Sequence, residues 1–430
     1  MSLLPKLCHP PWVVRQLDLL KTTYCRSDDG LLVSEIDATG TITNSSPIVP
    51  DFGDILPFLA YAGEGAFALR QIEAARRYLS DGLFLADGRV CLFLNHDWLL
   101  GLVDVGQMLQ SEPLIDLAKQ ATETIWRDFE HDGYLIDERP QIVRPRSLLL
   151  KASPFNLGYV ALWLDLYGLT GDVAYLRRSQ AIMARWLQTS QFRERGVFCA
   201  QYPRATQVAL RMIPRKSHKR VLLFKDNTNA VWSLLDLARA DCTNPEWRLA
   251  IQRWLDGYHD LFFNSGRPFL ALDSRFCGLE PSLLSAFSSI DLLCDIAHEG
   301  IARAEALALA TQIAEAWISL QWDNGLFPIH PSSHRDHLDA NVDMVIALLK
   351  LAAMLDADHF ERAARKAAEA VLTLHAREHG FVLSVNPAGG DACSRYITKY
   401  QALVLKLALV PDRGIDLEAD TVLLRLLRDR

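Results

Sequence analysis

Seven times along this chain a short polar knot runs straight into a nearly all-apolar helix, and an amphipathic helix follows. The knots read Asp51-Phe52-Gly53-Asp54, Asn95-His96-Asp97-Trp98, Ser153-Pro154-Phe155-Asn156, Lys225-Asp226-Asn227-Thr228-Asn229, Glu280-Pro281-Ser282, Asp339-Ala340-Asn341 and Ser394-Arg395-Tyr396. A helix that is apolar on every side must be buried, whereas its amphipathic partner can face water. Repeated pairs of this kind close into a ring. The inner helices then bring their polar starts to one end, where a pocket can form. The pattern predicts an all-α fold, an (α/α)6 or (α/α)7 toroid of inner and outer helices with β-prone inserted loops.

The spacing predicts an N-terminal helix over about Pro11 to Tyr24, then a Thr/Ser/Asp-rich stretch to Pro50 that is too β-prone to be helical. Residues 1–50 are thus expected to pack as a helix and extended segment on a barrel formed by 51–430. Inner helices are expected from Asp54, Asp97, Asn156, Thr228, Ser282, Asn341 and Thr398, with outer partners from Glu64, Pro113, Asp172, Pro245, Ala302, His359 and Leu417. Asn, Asp, Ser and Thr at such starts suit helix N-caps. Three long insertions, Gly196–Phe224, Phe262–Leu279 and Ala376–Cys393, mix β-formers with Gly and Pro and read as hairpins or arms around the pocket mouth.

The 430 residues are 50% hydrophobic and 23% charged, enough for a large core. A net charge of −7 gives no reason to expect nucleic acid or a membrane surface as partner. The first residues lack an apolar h-region and no stretch approaches a membrane span, so a cytoplasmic protein without a transmembrane helix is expected. The eight cysteines are scattered without paired spacing, and Cys199, Cys242, Cys277 and Cys294, set among apolar neighbours, read as reduced core residues.

Three phrases carry a resemblance. Leu164-Asp-Leu-Tyr-Gly-Leu-Thr-Gly-Asp-Val-Ala-Tyr-Leu176 resembles the inner-to-outer turn of the (α/α) toroid enzymes, the six-hairpin glycosidase-like superfamily. Gln321-Trp-Asp-Asn-Gly-Leu-Phe-Pro328 before an Asp-Ala-Asn helix start is similar to a stretch seen there. Arg395-Tyr-Ile-Thr-Lys-Tyr400 is similar to glucuronyl C5-epimerase relatives. The resemblance implies hydrolases, unsaturated-uronyl hydrolases, polysaccharide lyases, sugar epimerases or proteins without activity, among which fold does not choose. Seven pairs are counted here where the commonest members have six. Either the ring is seven-fold or one pair, the last, is peripheral.

Glycoside hydrolysis needs one carboxyl group as acid and a second to activate water or attack. The knots supply Asp51, Asp54, Asp97, Asp226, Asp339 and Asp343, with Asp97 paired to Asp226 or Asp339 as the favoured couple. The competing structural reading makes each acid a helix cap. Asp343, one turn into its helix, has less reason to cap, and like Asp104 and Asp291 it must face the cavity or find a partner. His96 and the cluster His330, His334 and His337 offer acid/base groups that titrate near neutrality. No metal site and no cofactor are expected. Trp98, Trp322, Asn156, Asn229 and Tyr400 are candidate sugar contacts. Arg146, Arg204, Arg395 and Lys399 suit an anionic ligand such as a uronate. No P-loop, dinucleotide fingerprint, GxSxG elbow or HExxH occurs.

The favoured function is a carbohydrate-active enzyme, a glycoside hydrolase acting on an oligosaccharide or surface glycan. The alternatives are a uronate-glycan lyase or epimerase using His or Tyr with Arg, and a non-catalytic glycan-binding or scaffold protein.

Overall fold

The computed structural model describes residues 10–138, 151–202, 222–273, 275–410 and 426–427. Seven inner helices follow one another around a ring: Leu56–Tyr61, His96–Met108, Gly158–Thr170, Phe224–Ala240, Leu283–His298, Leu338–Leu355 and Thr398–Leu403. Each packs on the next, and the seventh returns to the first, which closes the circuit. The sequence dictates the inner position. In Leu338–Leu355, fourteen of the eighteen residues are buried, among them the run Val342 to Ala352.

Six outer helices stand against the first six inner ones: Gly65–Ala75, Glu112–Phe129, Val173–Leu187, Glu246–Leu261, Arg303–Ile318 and Asp358–Leu374. Asp358–Leu374 buries Phe360, Ala363, Ala364, Ala367, Ala370 and Val371 and turns its charges outward, the stripe of a half-buried helix. The predicted outer helix from Leu417 lies outside the described residues. The N-terminal helix Pro11–Thr22 packs beside the seventh inner helix. Gln16 there donates to the backbone oxygen of Gln401 at 3.3 Å, and Tyr24 just beyond it donates to the backbone oxygen of His379 at 2.8 Å. The extended stretch expected before Pro50 forms strands Val33–Ile36 and Ile42–Pro47, and Val33–Ile36 also pairs antiparallel with Tyr396–Ile397.

Short hairpins precede the second, third and seventh inner helices, at Leu79–Val90, Glu130–Leu135 and Ala376–Phe381. Leu222–Leu223 pairs instead with Ala271–Leu272 of the later insertion, and most of the insertion Gly196–Phe224 lies outside the described residues. Asp81-Gly82 and Asp132-Gly133 take positive φ at both positions, the two-residue turn that suits a twisted hairpin. The residue two places beyond Gly82, Gly196 and Gly325 is Phe84, Phe198 or Phe327. In each case one carboxamide at the next inner helix holds that Phe by both backbone groups. Asn95 accepts from Phe84 N at 2.6 Å and donates to its oxygen at 3.2 Å. Asn227 grips Phe198 at 2.8 and 3.1 Å, and Asn341 grips Phe327 at 2.8 and 3.0 Å. Gln401 holds Phe381 the same way, at 2.8 Å for both bonds. Asn156 makes half of this clamp, donating to Leu135 O at 3.0 Å. The inner helices are therefore registered to the segments before them by buried amides, which satisfy otherwise orphaned backbone groups.

Two expected helix starts move. The fourth inner helix begins at Phe224 rather than Thr228, and the sixth at Leu338 rather than Asn341. Asp226 and Asp339 thus sit inside the first helical turn, as does Asp97 in the second inner helix. None of the three is an N-cap. Side-chain caps at the knots come from Ser153 and Ser282 instead.

Candidate active site

The turn Asp51–Asp54 reaches the ring mouth because two glycines let backbone touch backbone. A Cβ on Gly53 would come within 2.2 Å of the Asp97 carbonyl oxygen, and one on Gly101 within 2.9 Å of the Gly53 Cα. This contact brings Asp51 and Asp54 beside Asp97. Lys399, from the first turn of the seventh inner helix, enters among them, 2.5 Å from Asp54 and 3.7 Å from Asp51. The group opens to solvent: Asp51 is 38% exposed, Lys399 26% and Asp54 13%.

The shared ammonium does not make the carboxylates equal. Burial pushes the Asp51 carboxyl up, the charges of Asp54 and Asp97 add to this, and Lys399 offsets only part, leaving it at about 6. Burial acts on Asp97 in the same sense. There it is outweighed by the hydrogen bond to His96 and by the charges of Lys399 and Lys225, which hold Asp97 below its ordinary value. Burial opposes the charge of Lys399, yet Asp54, Asp97 and Asp51 raise its pKa well above the usual lysine range.

His96 is buried and faces Asp97 Oδ1 through Nδ1 at 2.9 Å. Its ring lies edge-on to Phe155 and Tyr159, and Gly158 makes its slot, since a Cβ there would come within 2.1 Å of Nε2. His96 was expected to exchange protons with substrate; its burial instead makes it a holder of Asp97. Tyr400 lies edge-on to His337, with ring centroids 5.2 Å apart. Burial and the charge of Asp339 raise the Tyr400 pKa. Burial, aided by His375 and Arg335 and opposed by Asp336, lowers His337 to about 4. Behind it, Asp336 accepts a 2.7 Å bond from Nε2 of the fully buried His375.

Asp226 does not join Asp97. Its partners are Ser153, which donates at 3.3 Å, and the neighbouring charges of Lys151 and Asp137; burial first and Asp137 second raise its carboxyl to about 6. Asp343 is withdrawn from chemistry: it is paired with Lys406 at 2.5 Å, both groups being buried. Asp291 has found a partner in Lys350, which also lies 3.4 Å from Asp295, while Trp232 donates to Asp295 at 3.0 Å.

The expected sugar contacts sort sharply. Trp98 is fully buried and donates its indole N–H to Gly82 O at 3.0 Å, so it is a core residue with no face to offer. Asn156 gives its Nδ2 to Leu135 O and Asp137, while its Oδ1 has no hydrogen-bond partner among the described residues. Trp322 packs against the core on the turn leading to Gly325, which abuts Lys366 of the outer layer. Arg395 is bound to Glu35 through Nε at 2.9 Å and ties the seventh knot to strand Val33–Ile36. Arg146 and Arg204 lie outside the described residues. Asn229 behaves differently: it is 5% exposed, and neither amide atom has a hydrogen-bond partner among the described residues. It follows Lys225 by one turn on the same helix face. Among the described residues no three His, Cys, Asp or Glu side chains converge as a metal site requires. An open depression of about 640 Å³ between outer helices, lined by Phe263, Ser265, Gln312, Glu315 and Ala316, lies apart from these groups.

No family model matches the sequence, and no curated protein matches it. Solved structures do match in shape. The α-1,2-mannosidase from Trichoderma reesei superposes with a TM-score of 0.67 at 12% identity, over 92% of this chain and 91% of that one. The cellobiose 2-epimerase from Bacillus thermoamylovorans gives 0.55 at 11% identity, over 91% and 97%. An unsaturated glucuronyl hydrolase from a Bacillus species gives 0.52 at 14%, over 85% and 97%. The fold is the (α/α) toroid of these structures. Within this toroid the acidic turn Asp51–Asp54, Asp97, Lys225 and Lys399 come from the starts of the first, second, fourth and seventh inner helices. Helices two and four are not neighbours in the ring, so the charge of Lys225 acts on Asp97 across the mouth. No helix among the described residues is long and apolar enough to cross a membrane.

Proposed function

We propose that this toroid is a glycoside hydrolase in which Asp51 serves as general acid and Asp97 as the base or nucleophile. The observation that carries the reading is the opposite displacement of two carboxyl groups around Lys399. Two titratable groups pushed apart by their surroundings mark acid and base. Asp51, at about 6, keeps its proton in weakly acidic solution and can deliver it to a departing glycosidic oxygen. Asp97 stays ionised, oriented by His96, and can take a proton from water or attack the sugar carbon. Asn229, neither of whose amide atoms is bonded to a described residue, suits a pair of sugar hydroxyls. The similar structures named for sugar hydrolysis and epimerisation support a carbohydrate substrate.

The test is a screen of neutral and uronate oligosaccharides that follows new reducing ends and the absorbance of unsaturated product together. Hydrolysis releases the first without the second. Asp51→Asn and Asp97→Asn should each lower turnover about 10²–10⁴-fold. Full turnover in both variants overturns the assignment.

One observation favours an epimerase or lyase as second reading. His337 is held neutral beside Tyr400, and its Nδ1 is buried with no partner among the described residues. A neutral imidazole can remove a proton next to a carbonyl or carboxylate. The arginine expected to neutralise that carboxylate, Arg395, is committed to Glu35. Solvent deuterium appearing in recovered sugar distinguishes this chemistry from hydrolysis.

A further inference from the structure

Phe93 is 59% exposed, beside the knot that holds Asp97, and the reaction proposed above leaves it unused. Its backbone is fastened on both sides. Leu92 donates its N–H to Asp137 O at 2.9 Å and accepts from Tyr159 Oη at 2.7 Å. Asn95 donates to Cys91 O at 2.9 Å and clamps Phe84. A fixed backbone thus presents a bare aromatic ring to water, which costs free energy that a covering ligand would recover.

The ring does not stand alone. Its centroid lies 4.8 Å from that of Phe155, which in turn lies 5.2 Å from the His96 ring that holds Asp97. On its other side Phe155 follows Ser153, the donor to Asp226. Phe155 therefore stands between the two acidic groups, with His96 and Asp97 on one side and Ser153 and Asp226 on the other, and Phe93 extends it outward. A phenyl ring has no polar atom and binds through its face, which matches the C–H face of a pyranose. Carboxylates at the margin can accept from the sugar hydroxyls.

We propose that Phe93, in tilted contact with Phe155, is the platform for a second sugar ring outside the one held at Asp51 and Asp97. The substrate is then an oligosaccharide that runs from the mouth across the rim toward Asp226, not a monosaccharide. This inference rests on the carbohydrate reading of the site. It also gives Asp226 a place in binding where the sequence suggested catalysis.

The experiment begins with the whole protein on a glycan array of neutral and uronate mono- to tetrasaccharides. The best oligosaccharide and its terminal monosaccharide are then titrated calorimetrically against wild type, Phe93→Ala and Phe93→Trp. Phe93→Ala should weaken oligosaccharide binding by about tenfold and leave monosaccharide binding unchanged, while Phe93→Trp retains both. Unchanged thermal melting checks that the exposed ring is not needed for folding. If Phe93→Ala binds the oligosaccharide as wild type does, the platform is wrong and the carbohydrate reading stands. If no glycan binds the wild type, the carbohydrate reading falls and the platform with it.

Discussion

Gly53 and Asp97 touch through their backbones: a single added methyl on Gly53 would press to 2.2 Å from the Asp97 oxygen. That contact sets the distance between the proposed acid and base more firmly than any side-chain bond, because neither partner can rotate away. Gly53→Ala must push the acidic turn off the second inner helix. It should cost about 1–3 kcal/mol in urea unfolding and lower kcat about a hundredfold through misplacement of Asp51. Gly101→Ala, acting on the same contact from the other side, should do likewise. Wild-type kcat in a folded Gly53→Ala would dissociate the turn from catalysis.

The pH profile follows from the two displaced carboxyls. Asp51 must hold its proton to act as acid, so kcat/KM should fall as pH rises through about 6. Asp97 must be ionised, so the acidic limb should lie below the ordinary carboxylate range. Lys399 favours the ionised form of both. Lys399→Met should therefore move both limbs to higher pH. A profile in which only one limb moves would place the ammonium on one acid alone.

The same groups act oppositely on stability. A carboxyl with a raised folded pKa keeps a proton that the unfolded chain releases, so Asp51 lowers stability as pH climbs from about 4 to about 6. Asp97, with a lowered folded pKa, contributes stability above its unfolded value and loses it as pH falls through the folded one. At pH 7 Asp51→Asn should raise Tm and Asp97→Asn should lower it, although both abolish activity. At pH 4 the gain from Asp51→Asn should vanish. Thermal melts at the two pH values decide the signs.

Asp343 illustrates a buried charge that is structural. Lys406→Met would strand its carboxylate and should cost about 3–5 kcal/mol, with kcat per folded molecule unchanged. A selective loss of kcat would return Asp343 to the chemistry.

The ring was legible because burial on every side of a helix is written in its composition; Leu338–Leu355 admits little else. The packing of Pro11–Thr22 on the seventh inner helix was not, since it is made by tertiary contact with Gln401, and no local period announces a contact between residues so far apart in sequence. Among the acids, Asp97 could be singled out by its knot, but its pairing could not. Asp226 follows Lys225 in sequence, yet on a helix adjacent side chains diverge by about 100°: the Lys225 ammonium lies over the Trp232 ring and its charge reaches Asp97, while Asp226 accepts from Ser153. Trp98 misled for a simple reason: an aromatic at a loop-helix junction faces whichever side the helix phase dictates, here the core. The amide clamps do carry a sequence signal, a Gly followed two places later by Phe and then by an Asn opening an apolar helix.

Those clamps also separate two asparagines that look alike in sequence. Asn341 makes two bonds to the buried Phe327 peptide, whereas Asn229 makes none to the described residues. Asn341→Ala leaves an N–H and a C=O without partners and should destabilise the fold by about 2–4 kcal/mol. Asn229→Ala removes no such bond and relieves a buried amide, so stability should stay within about 1 kcal/mol of wild type. If Asn229 receives sugar hydroxyls, its variant should lose ligand affinity while melting normally. Urea titrations and glycan binding on the pair of variants test both halves. An Asn229→Ala protein that binds glycan as wild type does would return Asn229 to a structural role, with ordered water satisfying its amide.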